Sequence, residues 1–332
     1  MARHEAWFET HRSTKRCDAP HHEAETPRNA ERCDASHHER GARLLMCRPE
    51  HFAVSYIINP WMDPQSWARD RRAHVAAVRE WSALYRKLVG LGASIEQVTP
   101  APGLPDLVFT ANAAVVLDRQ VLLARFRHPE RRREEPHFEA AFRALQARGL
   151  VDCIRKLPDD VVLEGAGDCV WDESRKLFWL GYGPRSDAAA QRPVADMFAQ
   201  EVAALELVDP RFYHMDTALA PLPGGEVMYL PQAFSAAALG EIRERVSPDA
   251  RIELGLDDGC RLAANAVCLG RTLVLSGCSE ALRGELAERG YRVAATPLPS
   301  FLRSGGSAFC LTLRLDRRSA ALPNAGTDAA VA

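Results

Sequence analysis

The chain has no run of about 18 consecutive apolar residues and no charged-then-apolar leader, so neither a membrane span nor secretion is expected. The expected compartment is the cytoplasm. An excess of one charge is also missing: 42 Lys and Arg against 44 Asp and Glu leave a net charge of −2. Without a basic face interleaved with aromatics, no nucleic-acid partner is expected. The nine cysteines are odd in number and include no C-x-x-C pair, which argues against a disulfide framework and against a tetrahedral zinc site. Reduced thiols and no bound metal are the expectation.

What is present is enough apolar sequence for a sizeable core, 47% of 332 residues. Residues 1–41 stand apart. They are polar, hold six of the eleven histidines, and repeat Cys17-Asp18-Ala19-Pro20-His21-His22-Glu23 as Cys33-Asp34-Ala35-Ser36-His37-His38-Glu39. With no apolar periodicity to bury, this segment reads as a disordered or spurious extension, a metal-binding tail being the alternative. Residues 42–316 are expected to form one domain, and residues 317–332 a flexible tail.

Order begins with a strand at residues 43–48. Asp63 then caps a helix with Pro64 in its first turn, and Trp67, Val75, Val78, Leu84, Tyr85 and Leu88 form its expected apolar face before Gly90 and Gly92. A strand follows at residues 94–98. From here a layout recurs. Residues 111–117, a turn at Asp118-Arg119 and residues 121–123 predict a hairpin, and residues 264–269, Gly270-Arg271 and residues 273–275 repeat it. Two looser copies lead from Glu164-Gly165-Ala166-Gly167-Asp168 and from His214-Met215-Asp216. Helical stretches at residues 130–149, 187–205 and 279–290 follow, each before a short strand.

The polar residues at the hairpin mouths are Asn112, Asp168, Asp216, Asn265 and, in what reads as a last strand, Cys310, spaced about 45 to 56 residues apart. Five strand-strand-helix-strand units of an α/β fold fit this series. The fifth lacks one strand and the chain begins with a spare one, so the first and last strands are predicted to complete one unit and close a ring. Cys310 lies four residues after Gly306, and the glycines of Ser304-Gly305-Gly306 would let backbone approach a ligand. A cysteine in an apolar strand also reads as a small buried hydrophobe.

The ring makes Cys310, His214, Glu164, Asp168, Asp216, Asp106 and Asn112 candidates for one pocket. A thiolate is nucleophilic when a cation stabilises it, and a histidine oriented by a carboxylate can exchange protons with a leaving amine and with water. Several acceptor-only carboxylates around a thiol suit a planar cation rich in N–H donors, a guanidinium or an amidine. For Asp168 a capped turn is an equal reading. Arg131-Arg132-Arg133, answered by Glu134-Glu135, reads first as a solvated helix start.

Pro105-Asp106-Leu107-Val108-Phe109-Thr110-Ala111-Asn112, Glu164-Gly165-Ala166-Gly167-Asp168, Tyr182-Gly183-Pro184-Arg185-Ser186, Phe212-Tyr213-His214-Met215-Asp216-Thr217 and Gly305-Gly306-Ser307-Ala308-Phe309-Cys310-Leu311-Thr312 resemble, in order, the motifs of the guanidino-group modifying enzymes, the penteins. That group includes arginine deiminases, dimethylarginine dimethylaminohydrolases, arginine dihydrolases and amidinotransferases. The resemblance implies a five-bladed α/β propeller and a hydrolase of a guanidino C–N bond acting through a covalent S-alkylthiouronium, without a cofactor. It implies Cys310 as nucleophile, His214 as general acid and base, and Glu164 orienting the imidazole and the substrate. Asp216 would hold the guanidinium and Asp106 the substrate mouth, Arg185 would meet the amino-acid end, and Arg131 or Arg132 its carboxylate.

Asn112 stands where deiminases and dimethylarginine hydrolases carry Asp. The Thr110-Ala111-Asn112 version resembles the arginine dihydrolases, so arginine dihydrolase or deiminase activity is expected ahead of dimethylargininase. Phe309 and Ser300 leave the outer substrate contacts open. Amidino transfer to an amine is a rival, as is a non-catalytic binding role like that of the ribosome anti-association factor, which predicts no Cys and His pair. The expected partner is a small arginine-like molecule, with no membrane partner; a homo-oligomer is compatible with the sequence.

Overall fold

The computed structural model describes residues 41–320; the Cys/His repeat of the N-terminal segment and the end of the C-terminal tail lie outside these. Among the described residues, five three-stranded sheets account for the strands, and each has the same internal order. Ala114–Leu117 pairs antiparallel with Gln120–Leu123, which pairs parallel with Cys153–Arg155. The parallel step requires a crossover, supplied by the helix Glu135–Ala147. The same pattern links Cys169–Asp172, Leu177–Tyr182 and Glu201–Glu206, then Leu219–Pro221, Val227–Tyr229 and Arg251–Glu253, then Val267–Leu269, Thr272–Leu275 and Arg292–Ala295. In the fifth sheet Leu313–Arg314 pairs antiparallel with Arg43–Cys47, Leu44 facing Arg314 and Leu45 facing Leu313. Arg43–Cys47 then pairs parallel with Ser94–Val98 across the helix Ala73–Gly90. The two ends of the described chain therefore share one sheet, as the strand count predicts.

Local chemistry explains the hairpins. Asp118 and Arg119 both take left-handed backbone, with φ of 52° and 63°, the two-residue turn whose twist matches that of paired strands. Asp172 holds another turn: its Oδ1 accepts from Ser174 N and Arg175 N at 3.1 and 3.0 Å, and its Oδ2 from Trp179 Nε1 at 3.0 Å. The helices start on side-chain caps where the sequence offers one, Asp63 to Ser66 N and Ser279 to Leu282 N. No helix among the described residues is long and apolar enough to cross a membrane.

Three expectations are corrected. The helix after Asp63 is two helices, Pro64–Arg69 and Ala73–Gly90. The second buries Ala73, Ala77, Trp81, Leu84 and Leu88, leaving Val75 50% and Val78 38% exposed: the face that packs inward, against the helix Pro299–Leu302 among others, is the one carrying the alanines and Trp81, so the valines lie on the outer side. Residues 187–205 are not one helix. Gln191–Phe198 ends at Ala199, left-handed with φ of 51°, and Glu201–Glu206 is a strand because all six of its residues find parallel partners in Leu177–Tyr182. The short strand expected at Leu207-Val208 is not formed: Leu207 makes only an isolated bridge to Phe234. Lastly, the polar mouths are not in strands. Thr110–Ala113, Gly165–Gly167 and Met215–Ala218 are single helical turns. Cys310 likewise sits in a turn, where Leu311 N donates to Ser307 O at 3.2 Å and Thr312 N to Phe309 O at 2.9 Å.

Candidate active site

These turns position the chemistry. Cys310 and His214, each 2% exposed, line one cavity of about 250 Å³ together with Asp106, Asn112, Arg131 and Arg185. The neighbouring glycines make room for aromatic walls: a Cβ on Gly306 would lie 2.4 Å from the Phe109 ring, and one on Gly305 2.6 Å from Trp61 and 2.8 Å from Tyr213. Gly305 also needs its φ of +76°. Their use is thus to admit side chains against the loop that carries Cys310.

Around the sulfur, Asn265 Nδ2 donates to Cys310 Sγ at 3.0 Å, and Sγ donates to Asp216 Oδ2 at 3.2 Å. Burial and the adjacent Asp216 carboxylate push the thiol well above its usual range. Burial also raises Asp216, to about 7. The resting pair is therefore a neutral thiol beside an acid that titrates near neutrality. Asp216 touches the sulfur but faces an adjoining cavity of about 520 Å³ walled by Trp171, Arg314 and Arg317.

His214 Nε2 lies 2.8 Å from Glu164 Oε2, which also accepts from Arg185 Nη1 at 2.9 Å. Glu164 Oε1 accepts from Arg127 N at 3.2 Å. Burial opposes ionisation of Glu164, yet Arg185, His214 and Arg131 together hold it well below the usual carboxylate range. Burial lowers His214 to about 4 against the pull of Glu164. A neutral imidazole with Nε2–H on an ionised Glu164 leaves Nδ1 as the free base. Arg185 stacks 4.4 Å over the Tyr213 ring and donates to Ile58 O at 3.2 Å, tying the 56–61 loop over the cavity. Trp61 Nε1 and Asn59 Nδ2 pin that loop to Arg211 O and Ser304 O, at 2.7 and 3.0 Å.

Across the cavity, Asp106 Oδ2 accepts from Tyr56 Oη at 2.8 Å, and burial raises its carboxyl. Asp106 Oδ1 and Asp216 Oδ1 are buried without a hydrogen-bond partner. Unpaired acceptors at this depth are costly unless a donor-rich ligand meets them. Asn112 has a defined orientation. Arg131 Nη1 can only donate, so the Asn112 atom 2.9 Å away is Oδ1, while Nδ2 donates to Glu164 O at 3.3 Å. A Cβ on Gly167 would fall 2.1 Å from that Nδ2.

Three expected contacts change. Arg131 is not at a solvated helix start: it is 2% exposed, held bidentately by the fully buried Glu134 at 3.0 and 2.8 Å. Arg132 lies outside the cavity, donating at 3.1 Å to Phe126 O and Arg127 O, because one step along the short helix turns it away. Asp168 does not line the cavity. It accepts from Met215 N at 3.0 Å and Ser186 Oγ at 2.5 Å, bracing the His214 turn from behind, with its Oδ2 3.9 Å from His214 Nε2. Glu134 and Tyr56 carried no signal in the sequence. Asn265 did, since it belongs to the mouth series.

Residues 48–223 match the family model described as N,N dimethylarginine dimethylhydrolase, eukaryotic. The bifunctional arginine dihydrolase/ornithine cyclodeaminase ArgZ of Synechocystis sp. is 41% identical over 273 residues, 82% of this chain and 37% of that protein. The N(G),N(G)-dimethylarginine dimethylaminohydrolase of Mycobacterium tuberculosis is 36% identical over 276 residues, covering 83% of this chain and 86% of that one. The crystal structure of the N-terminal domain of ArgZ bound to product superposes with a TM-score of 0.78 at 40% identity, covering 84% of this chain and 99% of that domain. The chain thus spans little more than a third of the length of the bifunctional relatives that it matches. With the family model over more than half of its residues and a relative matched over most of both lengths, the chain belongs to the dimethylarginine dimethylaminohydrolase family of guanidino-group modifying enzymes, the penteins.

Proposed function

We propose that this protein is an arginine dihydrolase, cleaving arginine to ornithine, carbon dioxide and two ammonia by two successive hydrolyses at Cys310. The observation that carries the reading is the orientation of Asn112. Its Oδ1 is committed to Arg131, so the end left for substrate is an N–H, which can donate to the ureido oxygen of citrulline as a carboxylate could not. The relatives named as arginine dihydrolases support this choice.

In this reading the guanidinium meets the unpaired Asp106 Oδ1 in the cavity that holds Cys310 and His214, and Asp216, whose Oδ2 lies against the sulfur, attracts it from the adjoining side. Its positive charge offsets the Asp216 carboxylate and so favours the thiolate. The thiol proton passes to His214 Nδ1. Sγ then forms a bond to the guanidino carbon, the C–N bond to the departing nitrogen breaks, and His214 gives that nitrogen its proton. Water replaces ammonia, His214 takes its proton as the new C–O bond forms, and the C–S bond breaks with its electron pair returning to sulfur. The product of this round is citrulline, and a second round on the ureido carbon releases ornithine and carbamate, which decomposes to carbon dioxide and ammonia. Glu164 keeps the imidazole oriented, and Arg185 is assigned to the amino-acid end of the substrate. Arg131 lines the same cavity, so the substrate carboxylate would share it with Glu134 and Asn112. Asp168 acts by bracing the His214 turn.

We read the five sheets as the blades of a propeller closed by the shared terminal sheet, and residues 42–316 as one catalytic domain; the compact unit that starts at Gly41 supports the latter. A cytoplasmic setting is consistent with the seven described cysteines, all unpaired. Dimethylarginine hydrolysis is the second reading, favoured by the family model and the mycobacterial relative. The deciding experiment incubates the purified chain separately with arginine, citrulline and asymmetric dimethylarginine and follows products by mass spectrometry. Ornithine plus ammonia from arginine is expected. Citrulline as end product means a deiminase, dimethylamine a dimethylargininase, and no turnover overturns both readings.

A further inference from the structure

We propose that Asn265 is a catalytic residue that holds the Cys310 sulfur in its ionised form through an amide N–H, each time sulfur is freed to attack and each time it is expelled. This rests on the reading of Cys310 as nucleophile given above. Asn265 is fully buried, and both polar atoms of its side chain are engaged with Cys310 or its neighbour Asp216. Its Oδ1 accepts from Cys310 N at 3.1 Å, and its Nδ2 donates both to Asp216 O at 3.1 Å and to Cys310 Sγ at 3.0 Å. Its own carbonyl accepts from Phe309 N at 3.3 Å. A backbone N–H can only donate, so the atom facing Cys310 N is the oxygen and the atom facing Sγ is the nitrogen. The amide cannot be turned round.

That polarity has a chemical consequence. The other partner of the sulfur, Asp216 Oδ2, accepts from a thiol but repels a thiolate. When the S–H proton leaves, the Asp216 contact loses its sign while the Asn265 contact becomes charge-assisted and stronger. Asn265, like Asn112, is a neutral member of the mouth series that also contains Asp168 and Asp216. An acid at its position would set a second negative charge against the sulfur. The same N–H faces sulfur as a leaving group when the C–S bond breaks and the electron pair returns to Sγ.

The test measures the pH dependence of Cys310 alkylation by iodoacetamide in the intact chain, with the adduct counted by peptide mass spectrometry so that other cysteines are resolved. It needs no substrate, so a failure of the arginine reading does not touch it. Asn265→Asp keeps the shape and the oxygen facing Cys310 N but removes the N–H to sulfur; its alkylation midpoint should rise by one pH unit or more, with the rate at pH 8 falling about tenfold, the scale of one hydrogen bond to a charged group. Asn265→Ala, which adds no charge, should move in the same direction. A folded variant of either kind with the wild-type curve overturns the proposal. Loss of folding in both would make Asn265 a structural clamp and also overturn it. A wild-type thiol inert at every pH overturns the nucleophile reading and this role with it.

Discussion

If the protein is an arginine dihydrolase as proposed, Asn112→Asp should separate the two hydrolyses. The new carboxylate keeps one oxygen on Arg131, replacing the present 2.9 Å contact, and puts its second oxygen where Nδ2 now donates to Glu164 O. At 2% exposure that oxygen meets a carbonyl and not water. Toward a guanidinium it remains a good acceptor, so the first step is preserved. Toward citrulline the N–H that met the ureido oxygen is gone. An acceptor left unpaired in a buried site costs about 1–3 kcal/mol, roughly 5- to 150-fold in rate. The assay is a time course from arginine and, separately, kcat/KM with citrulline as the starting substrate. The variant should accumulate citrulline and lose activity on citrulline by that factor. A folded variant with unchanged ornithine yield and unchanged kcat/KM for citrulline refutes the role of Asn112.

Cys310→Ser should abolish turnover with the melting temperature held within a few degrees, and residual activity above about one per cent would remove the covalent step. Arg131→Ala strands the buried Glu134 and should cost about 3–5 kcal/mol of stability, whereas Arg132→Ala should leave stability within about 0.5 kcal/mol and turnover within twofold; equal effects in urea titrations would contradict the burial difference. Gly167→Ala should displace the Asn112 amide and destabilise by about 1–3 kcal/mol, a loss visible in melting and in ornithine formation together. His214 has a folded pKa depressed to about 4, so the unfolded chain takes up its proton first as pH falls. Its contribution is present above about 6.5 and lost toward 4, up to about 3 kcal/mol. Stability of the wild type relative to His214→Gln should therefore fall between pH 7.5 and 4.5, and a constant difference would count against a buried neutral imidazole.

The family of chemistry is legible in the sequence because its signals are local. Asp118-Arg119 between two apolar runs specifies a hairpin through turn chemistry alone. A polar residue recurring at each mouth marks the five units, and a thiol and carboxylates within that series, with the imidazole of His214 two residues before Asp216, point to the reaction class. The pairing of Arg43–Cys47 with Leu313–Arg314 was deducible as well, since an incomplete unit at one end and a spare strand at the other leave one economical solution.

Tertiary structure decided whatever depends on which neighbour wins. Glu201–Glu206 is a strand because six partners in Leu177–Tyr182 outweigh the helical tendency of its alanines. Val75 and Val78 face outward although they are as apolar as Trp81, because the inward face of the helix is the one that carries Ala73, Ala77, Trp81, Leu84 and Leu88. Adjacent arginines, Arg131 and Arg132, part ways over one helical step, one into a buried ion pair and the other onto the backbone carbonyls of Phe126 and Arg127. The atom of Asn112 that faces Arg131, and the atom of Asn265 that meets sulfur, follow from partners 19 and 45 residues distant in the chain. Residue type and spacing set the available donors and acceptors, whereas their direction depends on contacts between segments far apart in sequence, and no local pattern encodes those.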